Sequence, residues 1–312
     1  MKKIMVLGSF VVDLTGYTQH VPVPGETVLG DLFKMGPGGK GSNQAIAAAE
    51  AGADVAFVTK LGKDTFSKIA CDAFSEHGIR QDFILFDDEK ATGTALILVD
   101  KDSGQNSIVV IPSACLNITE EDVENVEICI QNSDIFLTQL ETNIQAVYRS
   151  VDIAYREGIP VILNPAPYQE IDMELLKKVF CVTPNETEAA SMTGIDTSTM
   201  EGVKKAAAFL YEKGAQNVVI TLGRNGVYLK QKETEEHIHA FAVDHVIDTT
   251  GAGDAFNGAF ACAVAEGLDL RNACVFGNAA ASISVQRMGT ARSMPARNEI
   301  EQRLKEFGVE II

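Results

Sequence analysis

The chain has 312 residues, of which 46% are hydrophobic, and its formal net charge at pH 7 is −17. This length allows one large α/β domain or two smaller ones, and the excess of acidic side chains argues against nucleic acids and anionic membranes as partners. We expect no membrane span, since no apolar run approaches the roughly 20 residues that one needs, and no signal peptide, since Met1-Lys2-Lys3 precedes only a short apolar stretch.

Strand-like and helix-like segments alternate along the chain. The predicted strands are mostly unbroken apolar runs, as buried parallel strands should be, at residues 4–7, 55–60, 134–137, 161–163, 180–183 and 218–222. Predicted helices fall between them, most with polar caps or closing glycines, at residues 44–50, 64–76, 119–130, 143–157 and 201–213. This alternation predicts an α/β fold with a doubly wound, mostly parallel sheet covered on both faces, in a single domain over residues 1–312.

Two segments interrupt the alternation. Residues 15–33 and 91–111 are typical of short strands joined by turns, at 23–26 and 100–104, with no helix between them. A β-structure of this size is only marginally stable alone. We therefore expect it to gain stability by pairing with a second copy.

The cysteines indicate the redox environment. Six are present, scattered and mostly within apolar runs, without a C-x-x-C pair. We expect buried, reduced thiols of a cytoplasmic protein rather than disulfides or a zinc site.

The first glycine cluster reads Gly36-Pro37-Gly38-Gly39-Lys40-Gly41-Ser42-Asn43-Gln44-Ala45. Its spacing matches the dinucleotide fingerprint G-x-G-x-x-G, but strand 4–7 ends well before Gly36, and the fingerprint should follow the first strand directly. This context rules out a dehydrogenase, and a Walker A loop is excluded because Gly41 follows Lys40 where Ser or Thr is required. We predict a mobile glycine loop carrying Lys40 and Asn43, groups suited to a small polyhydroxy ligand.

The second cluster reads Asp248-Thr249-Thr250-Gly251-Ala252-Gly253-Asp254-Ala255-Phe256-Asn257-Gly258. A turn without bulky side chains lets backbone N–H groups converge, and the N-terminus of the following helix adds about half a positive charge. Asp254, in the first turn of that helix, can accept a proton. An anion site beside a base is what phosphoryl transfer to an alcohol requires. The alternative is a tight turn in which Asp254 only caps the helix.

Together the two clusters resemble the signatures of the ribokinase-like (phosphofructokinase-B type) sugar kinases. Further matches follow in the family's order, namely Gln139-Leu140-Glu141, Asn164-Pro165-Ala166-Pro167, Thr183-Pro184-Asn185-Glu186-Thr187-Glu188 and Thr221-Leu222-Gly223-Arg224-Asn225-Gly226. The resemblance extends from about Ile4 to Pro295, and Lys40 is typical of the ribokinase branch. It implies a ribokinase-like fold in which the two interrupting segments form a β-lid over the sugar, with the lids of two subunits pairing in a homodimer.

The resemblance also implies an activity. It is that of an ATP-dependent kinase, which transfers the γ-phosphoryl group to the primary hydroxyl (O5) of a pentose, with D-ribose, giving ribose 5-phosphate, as the favoured substrate. Asp254 is then the catalytic base, and backbone N–H groups of Gly251, Ala252 and Gly253 stabilise the transferred group. The sugar-binding positions are Val11, Asp13, Gly39, Lys40, Gly41, Ser42, Asn43, Glu141 and Asp254.

The same resemblance implies the positions for ATP and metal ions. The ATP-binding positions are Asn185, Thr221, Leu222, Gly223, Arg224, Asn225, Gly226, Gly253 and Asn278. Glu188 orders water around Mg²⁺, which prefers to keep its waters. An activating K⁺ ion binds, largely through carbonyl groups, at Asp248, Thr250, Ser284, Arg287, Gly289 and Ser293.

Several alternatives remain open. Family members commonly have a polar asparagine where this chain has Val11, at a position facing the sugar, so 2-deoxyribose, another small furanose or a nucleoside is an alternative substrate. Asp13 could instead cap a strand end, Glu141 could be a helix N-terminal acid, and Asn185 could be a plain helix cap. A non-catalytic sugar sensor on the same fold is an alternative of another class, although a sensor would not need Asp254.

Overall fold

The structure is a computed structural model that describes residues 1–101 and 105–311. Its strands, numbered in chain order, are β1 (Lys3–Leu7), β2 (Val11–Thr18), β3 (Leu32–Gly38), β4 (Asp54–Gly62), β5 (Ile84–Asp87), β6 (Gly93–Asp100), β7 (Asn106–Ile111), β8 (Ile135–Gln139), β9 (Val161–Asn164), β10 (Cys181–Val182), β11 (Asn217–Thr221), β12 (Val227–Lys230) and β13 (Glu235–Ile238). Its α-helices are α1 (Lys40–Glu50), α2 (Thr65–Glu76), α3 (Glu120–Asn125), α4 (Glu127–Gln131), α5 (Ile144–Arg156), α6 (Glu186–Thr193), α7 (Met200–Glu212), α8 (Ala252–Ala265), α9 (Leu270–Ser284) and α10 (Arg297–Glu306).

The central sheet has nine strands in the order β13-β12-β11-β10-β9-β8-β1-β4-β5. The strands from β11 to β5 in this order run parallel, and β12 runs antiparallel to both of its neighbours, β11 and β13. The predicted mostly parallel sheet is therefore confirmed. The hairpin β12–β13 was not predicted, because β13 is polar (Glu-Glu-His-Ile) and no apolar run marks it.

Helices cover both faces of this sheet, because successive side chains of β1 are buried in two different cores. Ile4 and Val6 are buried in one apolar core, which includes side chains of α1, α8 and α9. Met5 and Leu7 are buried in the other, which includes side chains of α5 and α7. Because successive side chains of a strand point to opposite faces, a continuous apolar run predicts burial on both.

Two predicted elements differ from the structure. The single helix at 119–130 is wrong: Val126, with φ −109° and ψ 11°, separates α3 from α4. This break lets Val123 and Cys129 reach the same core, whereas a straight helix would rotate one of them away. The strand predicted at 180–183 is shorter in the structure, where it is β10. Phe180 and Thr183 still donate backbone hydrogen bonds to β9, each at 2.9 Å.

The interrupting segments form a separate four-stranded sheet, here called the lid, in the order β3-β2-β6-β7. It is larger than predicted, because β2 already begins at Val11 and β3 continues to Gly38. The turn at 23–26 is present, with Gly25 at φ 87° and Glu26 N–H donating to the Val23 carbonyl at 2.9 Å. Of the turn predicted at 100–104, residues 102–104 lie outside the described residues.

No helix in the described ranges 1–101 and 105–311 is both long and apolar enough to cross a bilayer.

Candidate active site

Polar residues cluster at the carboxyl edge of the central sheet. Gln139 ends β8, Asn164 ends β9, and Thr183 follows β10 directly. All three are buried. Ligands of open α/β sheets bind in the crevice outside the carboxyl ends of the strands, so this edge is the place for a site.

The glycine cluster at 36–45 leads into α1 at this edge. The helix begins at Lys40, four residues earlier than predicted, so Lys40 and Asn43 lie in its first turn and not in a mobile loop. The reason is close packing, because a Cβ atom on Gly41 would lie 2.5 Å from the backbone nitrogen of Ser9. Ser42 Oγ also donates to the Gly38 carbonyl at 2.6 Å.

Glu141 stabilises this helix start. Its Oε2 accepts hydrogen bonds from the Ser9 hydroxyl and, at 2.9 Å, from the backbone N–H of Lys40. A carboxylate is favourable at a helix N-terminus because it binds a free N–H and faces the positive end of the helix dipole. Glu141 therefore acts here as the helix N-terminal acid, and only its other oxygen remains for a ligand.

Asp254 lies in the first turn of α8, as predicted, and is buried. Gly251, with φ 81°, precedes the helix, and no side chain caps its N-terminus. Asn43 Nδ2 donates to Asp254 Oδ2 at 3.0 Å, and Gln44 Nε2 donates to Oδ1 at 2.9 Å. Asp254, the candidate base, therefore lies in a helix N-terminus without a side-chain cap and contacts the glycine cluster at 36–45.

Gln44 was not among the predicted site residues. It links Asp254 to the strand ends, because its Nε2 also donates to Asn164 Oδ1 at 2.9 Å and its Oε1 accepts from Gln139 Nε2 at 2.7 Å. All three amides stand within the motifs noted above. That position was an available signal, but their mutual contacts depend on the fold.

Helices α1 and α8 approach each other closely one turn after Asp254. A Cβ atom on Gly258 would lie 2.5 Å from both the Ala47 Cβ and the Gln44 carbonyl oxygen. Only a residue without a side chain fits between the helices there, so Gly258 sets the spacing of Asp254 from its amide donors.

The electrostatics at the edge are dominated by carboxylates around Lys40. Burial disfavours the charged Lys40 ammonium, but the carboxylates of Asp254, Glu141 and Glu188 outweigh it and raise the Lys40 pKa. Burial raises the pKa of Glu188, against the N–H of Asn185 and the charge of Lys40. A charged lysine amid acidic groups can bind both a hydroxyl and a phosphate oxygen.

Asp13 lies in the lid strand β2, over Gly38. A Cβ atom added to Gly38 would lie within 2.5 Å of the Asp13 carboxylate. Burial raises the pKa of Asp13 to about 6, against a hydrogen bond from Thr290 and with help from the charges of Glu141 and Asp254. The Thr290 hydroxyl lies 3.3 Å from Asp13 Oδ2 and 3.1 Å from the Pro37 carbonyl. Thr290 was not predicted, and it ties the lid to the loop before α10.

Val11 lies on the same face of β2 as Asp13, two residues before it. It is buried, and its Cγ1 approaches Gly93 so closely that a Cβ atom there would be at 2.9 Å. The side chain next to Asp13 on this face of β2 is therefore apolar, and its place at the sugar stays a prediction.

A cavity of about 600 Å³ lies between the lid and the loops next to α8 and α10. Its lining includes Asp13, Tyr17, Pro37, Ile97, Asp248 and Thr290. Of the residues predicted to bind the sugar, Asp13 lines this cavity, whereas Lys40, Asn43, Glu141 and Asp254 do not.

The positions predicted for K⁺ lie in two loops joined by Asp248. Its Oδ1 accepts from Thr250 N–H at 2.9 Å and its Oδ2 from Gly289 N–H at 3.1 Å. Ser284 and Ser293 hydroxyls are 2.8 Å apart. The Arg287 guanidinium pairs with Glu299, so its backbone is the part left for an ion. With these side chains engaged, an ion at this place would have to be held by backbone carbonyl groups, and the K⁺ site stays a prediction.

The positions predicted for ATP fall at the ends of β11 and α6. Asn185 caps α6, since its Oδ1 accepts from Glu188 N–H and Glu188 Oε2 accepts from Asn185 N–H, both at 2.8 Å. Thr221 N–H donates to the Pro184 carbonyl at 2.9 Å. Asn185 is therefore a helix cap, as the alternative interpretation predicted. The pairing of Asn185 with Thr221 also places Glu188 near the end of β11.

The turn after β11 carries the remaining predicted positions. Gly223, Arg224 and Asn225 form an exposed 3₁₀ turn, and Leu222 before it is buried. Gly226 approaches β13 so closely that a Cβ atom would lie 2.2 Å from the Ile238 carbonyl oxygen. Asn278 Nδ2 donates to the same carbonyl at 3.4 Å and to that of His239 at 3.2 Å. These contacts bring Asn278 to this turn.

Glu188 fits Mg²⁺ held through water. Within the part of the chain that the structure describes, no group of three or more His, Cys, Asp or Glu side chains could hold a metal ion. Mg²⁺ usually binds through one or two carboxylates, waters and substrate phosphates rather than in an all-protein cage. One buried carboxylate near Lys40 and Asp254 agrees with that mode.

Comparisons with known proteins agree on one family. The sequence model of the pfkB family carbohydrate kinases matches residues 1–297. The chain is 41% identical over 298 residues to a ribokinase of Haemophilus influenzae, with 96% of this chain and 97% of that protein covered. It is 35% identical over 302 residues to a deoxyribokinase of Salmonella typhi, with 96% and 98% covered. The structure of Arabidopsis thaliana ribokinase complexed with ribose and ATP matches with a TM-score of 0.90 and 31% identity, with 98% of this chain and 99% of that chain covered.

Proposed function

Because the chain belongs to the pfkB family of carbohydrate kinases, we propose that it transfers the γ-phosphoryl group of ATP to O5 of D-ribose, giving ribose 5-phosphate and ADP. The observation that carries this proposal is Asp254, a buried carboxylate in the uncapped first turn of α8 beside Lys40. A sugar sensor would not require a base at that position. The whole chain acts as one kinase domain into which the lid is inserted.

The sugar binds between Asp254 and the lid. Lys40, Asn43 and Asp13 bind its hydroxyls, together with the free oxygen of Glu141. The O5 proton passes to Asp254 as the bond from O5 to the γ-phosphorus forms, and the bond from that phosphorus to the oxygen of ADP breaks. A carboxylate at a helix N-terminus is a weak base, which suffices because positioning and charge stabilisation dominate phosphoryl transfer.

The phosphate groups lie along the edge from α8 to β11. Backbone N–H groups of Gly251, Ala252 and Gly253 bind the transferred group, for which the Ala252 N–H leaves the Thr249 carbonyl, its acceptor at 3.3 Å. The turn at 221–226 and Asn278 bind the nucleotide. Glu188 would hold Mg²⁺ through water, and the ion would supply positive charge to the phosphate groups.

A K⁺ ion bound at Asp248, Thr250 and Gly289 would stabilise the anion-binding turn at residues 251–253. The support is that Asp248 already joins this turn to the loop carrying Gly289. Activity should rise with K⁺ and hardly with Li⁺ at matched ionic strength, and Asp248→Ala should abolish the difference. Equal rates with both ions in the wild type contradict this site.

The lid pairs with the lid of a second chain. Its outer strand β7 exposes four consecutive apolar side chains, from Ile108 to Ile111. An exposed, apolar edge strand is a template for pairing. The enzyme is cytoplasmic, which agrees with six free cysteines, five of them buried.

A coupled assay of ADP release tests the proposed reaction over ribose, 2-deoxyribose, hexoses and nucleosides. Ribose should give the highest kcat/KM, and mass or NMR analysis should place the phosphate on O5. No turnover with any pentose contradicts the proposal. 2-Deoxyribose is the second candidate, because the buried Val11 offers no hydrogen bond to a sugar hydroxyl and a deoxyribokinase is among the relatives.

A further inference from the structure

The two oxygens of Asp254 accept from two consecutive amide side chains of α1. Gln44 Nε2 donates to Oδ1 and Asn43 Nδ2 donates to Oδ2. Gln44 is fully buried, and Asn43 and Asp254 are nearly so. The two amides have similar bonds to Asp254 but differ in their other contacts.

Gln44 is held in one orientation. Its Nε2 has a second acceptor, Asn164 Oδ1 at 2.9 Å, and its Oε1 accepts from Gln139 Nε2 at 2.7 Å. Rotating this amide by half a turn would place its oxygen against two other acceptor oxygens, so the hydrogen bonds themselves assign the orientation. Asn164 is held in turn, since its Nδ2 donates to the Thr183 carbonyl at 2.8 Å.

Asn43 lacks such support. Its Oδ1 is buried and has no hydrogen-bond partner within the described ranges 1–101 and 105–311. A buried acceptor without a donor is unfavourable, and an arriving hydroxyl would relieve it. Within the same described ranges, no second contact of the Asn43 amide fixes its bond to Asp254, whereas Gln44 is fixed by its contacts with Asn164 and Gln139.

We infer that Gln44 is a positioning residue that holds the plane of the Asp254 carboxylate and keeps Oδ1 occupied, so that Oδ2 is the oxygen that receives the sugar proton. In the step itself, the O5–H bond breaks and its proton moves to Oδ2, while O5 bonds to the γ-phosphorus and ADP leaves with the electron pair of the broken bond. This inference rests on the proposed function. It adds which oxygen reacts and which side chain determines it.

The substitution Gln44→Glu tests this through a pH profile. It keeps the shape of the side chain but places a second carboxyl group against Oδ1, and two carboxyl groups at hydrogen-bond distance share a proton. The other charged groups facing Asp254 are Lys40 on α1, Asp13 on β2 and Glu188 on α6, and they are unchanged. We expect the acidic limb of the kcat profile, which reports the enzyme–substrate complex, to move up by about one pH unit or more.

The matched control is Gln139→Glu. Gln139 is as fully buried as Gln44 but bonds to the Gln44 oxygen and not to Asp254. It makes the same change of amide to acid one hydrogen bond further away, and the introduced carboxyl group, kept protonated by burial, still donates to Gln44 Oε1. Its acidic limb should coincide with that of the wild type even where its stability falls, which separates an effect on Asp254 from an effect on folding.

A second variant, Gln44→Met, removes the amide without adding charge. A misplaced catalytic group can cost about 10²-fold in rate, so we expect kcat to fall by about that factor with little change in the ribose Kd measured by calorimetry. If Gln44→Glu does not fold, as judged by thermal unfolding, this kcat-against-Kd comparison decides.

The inference is overturned by wild-type kcat in Gln44→Met, and also by acidic limbs that coincide in Gln44→Glu and the wild type. Equal shifts in Gln44→Glu and Gln139→Glu also overturn it, because they indicate a general effect of burying an acid. A wild type that phosphorylates no pentose refutes the proposed function itself, whereas an active wild type with unaffected variants refutes only the role of Gln44.

Discussion

The carboxyl edge of the central sheet and the lid differ in how many of their side chains find a partner within one chain. At the edge, Gln44, Asn164 and Thr183 bond to one another in the interior. On the lid, Val109 and Phe33 are 59% and 63% exposed. Buried polar groups need partners, and contiguous exposed apolar groups usually mark contact surfaces. At the edge, the acceptors Asn43 Oδ1 and Gln139 Oε1 have no partner among the described residues, whereas the lid leaves a whole apolar surface exposed, which we propose is covered by a second chain.

The largest effect is expected from replacing Asp254, the proposed catalytic base at the carboxyl edge. Asp254→Asn keeps the size of the side chain but removes its capacity to accept a proton. General-base catalysis typically contributes about 10²–10⁴-fold, so kcat should fall by that range while ribose still binds. Stopped assays and calorimetry measure the two quantities. A variant that retains more than about a tenth of the wild-type kcat contradicts the role of Asp254.

The next prediction concerns Val11, where the lid joins the edge. An apolar wall discriminates only about 10–200-fold, so kcat/KM values for ribose and 2-deoxyribose should lie within about 200-fold in the wild type. Val11→Asn should shift the ratio toward ribose, provided that the amide reaches the 2-hydroxyl. Val11→Ile, which stays apolar, is the control. A wild type that excludes 2-deoxyribose by more than about 10³-fold, or a ratio unmoved in Val11→Asn, shows that Val11 does not face the 2-position.

A third prediction separates the lid from its partner. Val109→Lys puts a charge on the exposed apolar strand β7, which should prevent pairing. Light scattering should then give the chain mass of 33.5 kDa, against twice that mass for the wild type. Thr234→Lys adds the same charge on the exposed turn between β12 and β13 and should remain dimeric. A monomeric wild type would refute the pairing.

The smallest expected effect concerns the tie between lid and edge, the Thr290 hydroxyl. In the proposed complex, sugar hydroxyls donate to ionised Asp13. Burial raises the pKa of Asp13 to about 6, against the Thr290 hydrogen bond, which acts to lower it. The kcat/KM for ribose should therefore rise with pH through about 6. Thr290→Val removes a bond that favours the ionised form, so this limb should move to higher pH, with loss near pH 6 and little change near pH 8.

Thr290→Ser is the matched control, since it keeps the hydroxyl and should retain the wild-type limb. Coincident kcat/KM profiles in the valine variant and the wild type would show that the hydroxyl does not act on Asp13.

The fold and much of the site could be predicted because local sequence marks them. Buried parallel strands are apolar runs, and caps such as Asp64 and Asn143 mark helix starts. The start of α1 could not be predicted, because Gly41 must lie against Ser9 before Lys40 can begin a helix. The resemblance predicts Glu141 at the sugar, but its bond to the Lys40 N–H could not be predicted, because it depends on that packing.

Gln44 and Thr290 show a second limit. Gln44 reaches Asp254 across 210 positions of the chain, and Thr290 reaches Asp13 across 277. Residue type and spacing give no indication of such pairs, because the sheet topology brings them together. A side chain that orients another is thus harder to predict than one that stands in a familiar motif.

The close approach of α1 and α8 at Gly258 has a consequence for mutational tolerance. An added methyl group would overlap Ala47 and the Gln44 carbonyl, so Gly258→Ala must push apart the helix that carries the base and the helix that carries its amide donors. Such a substitution touches no substrate, yet it should lower kcat in a protein that still folds. In a screen of random variants, position 258 would therefore group with the active-site residues and not with the helix interior in which it lies.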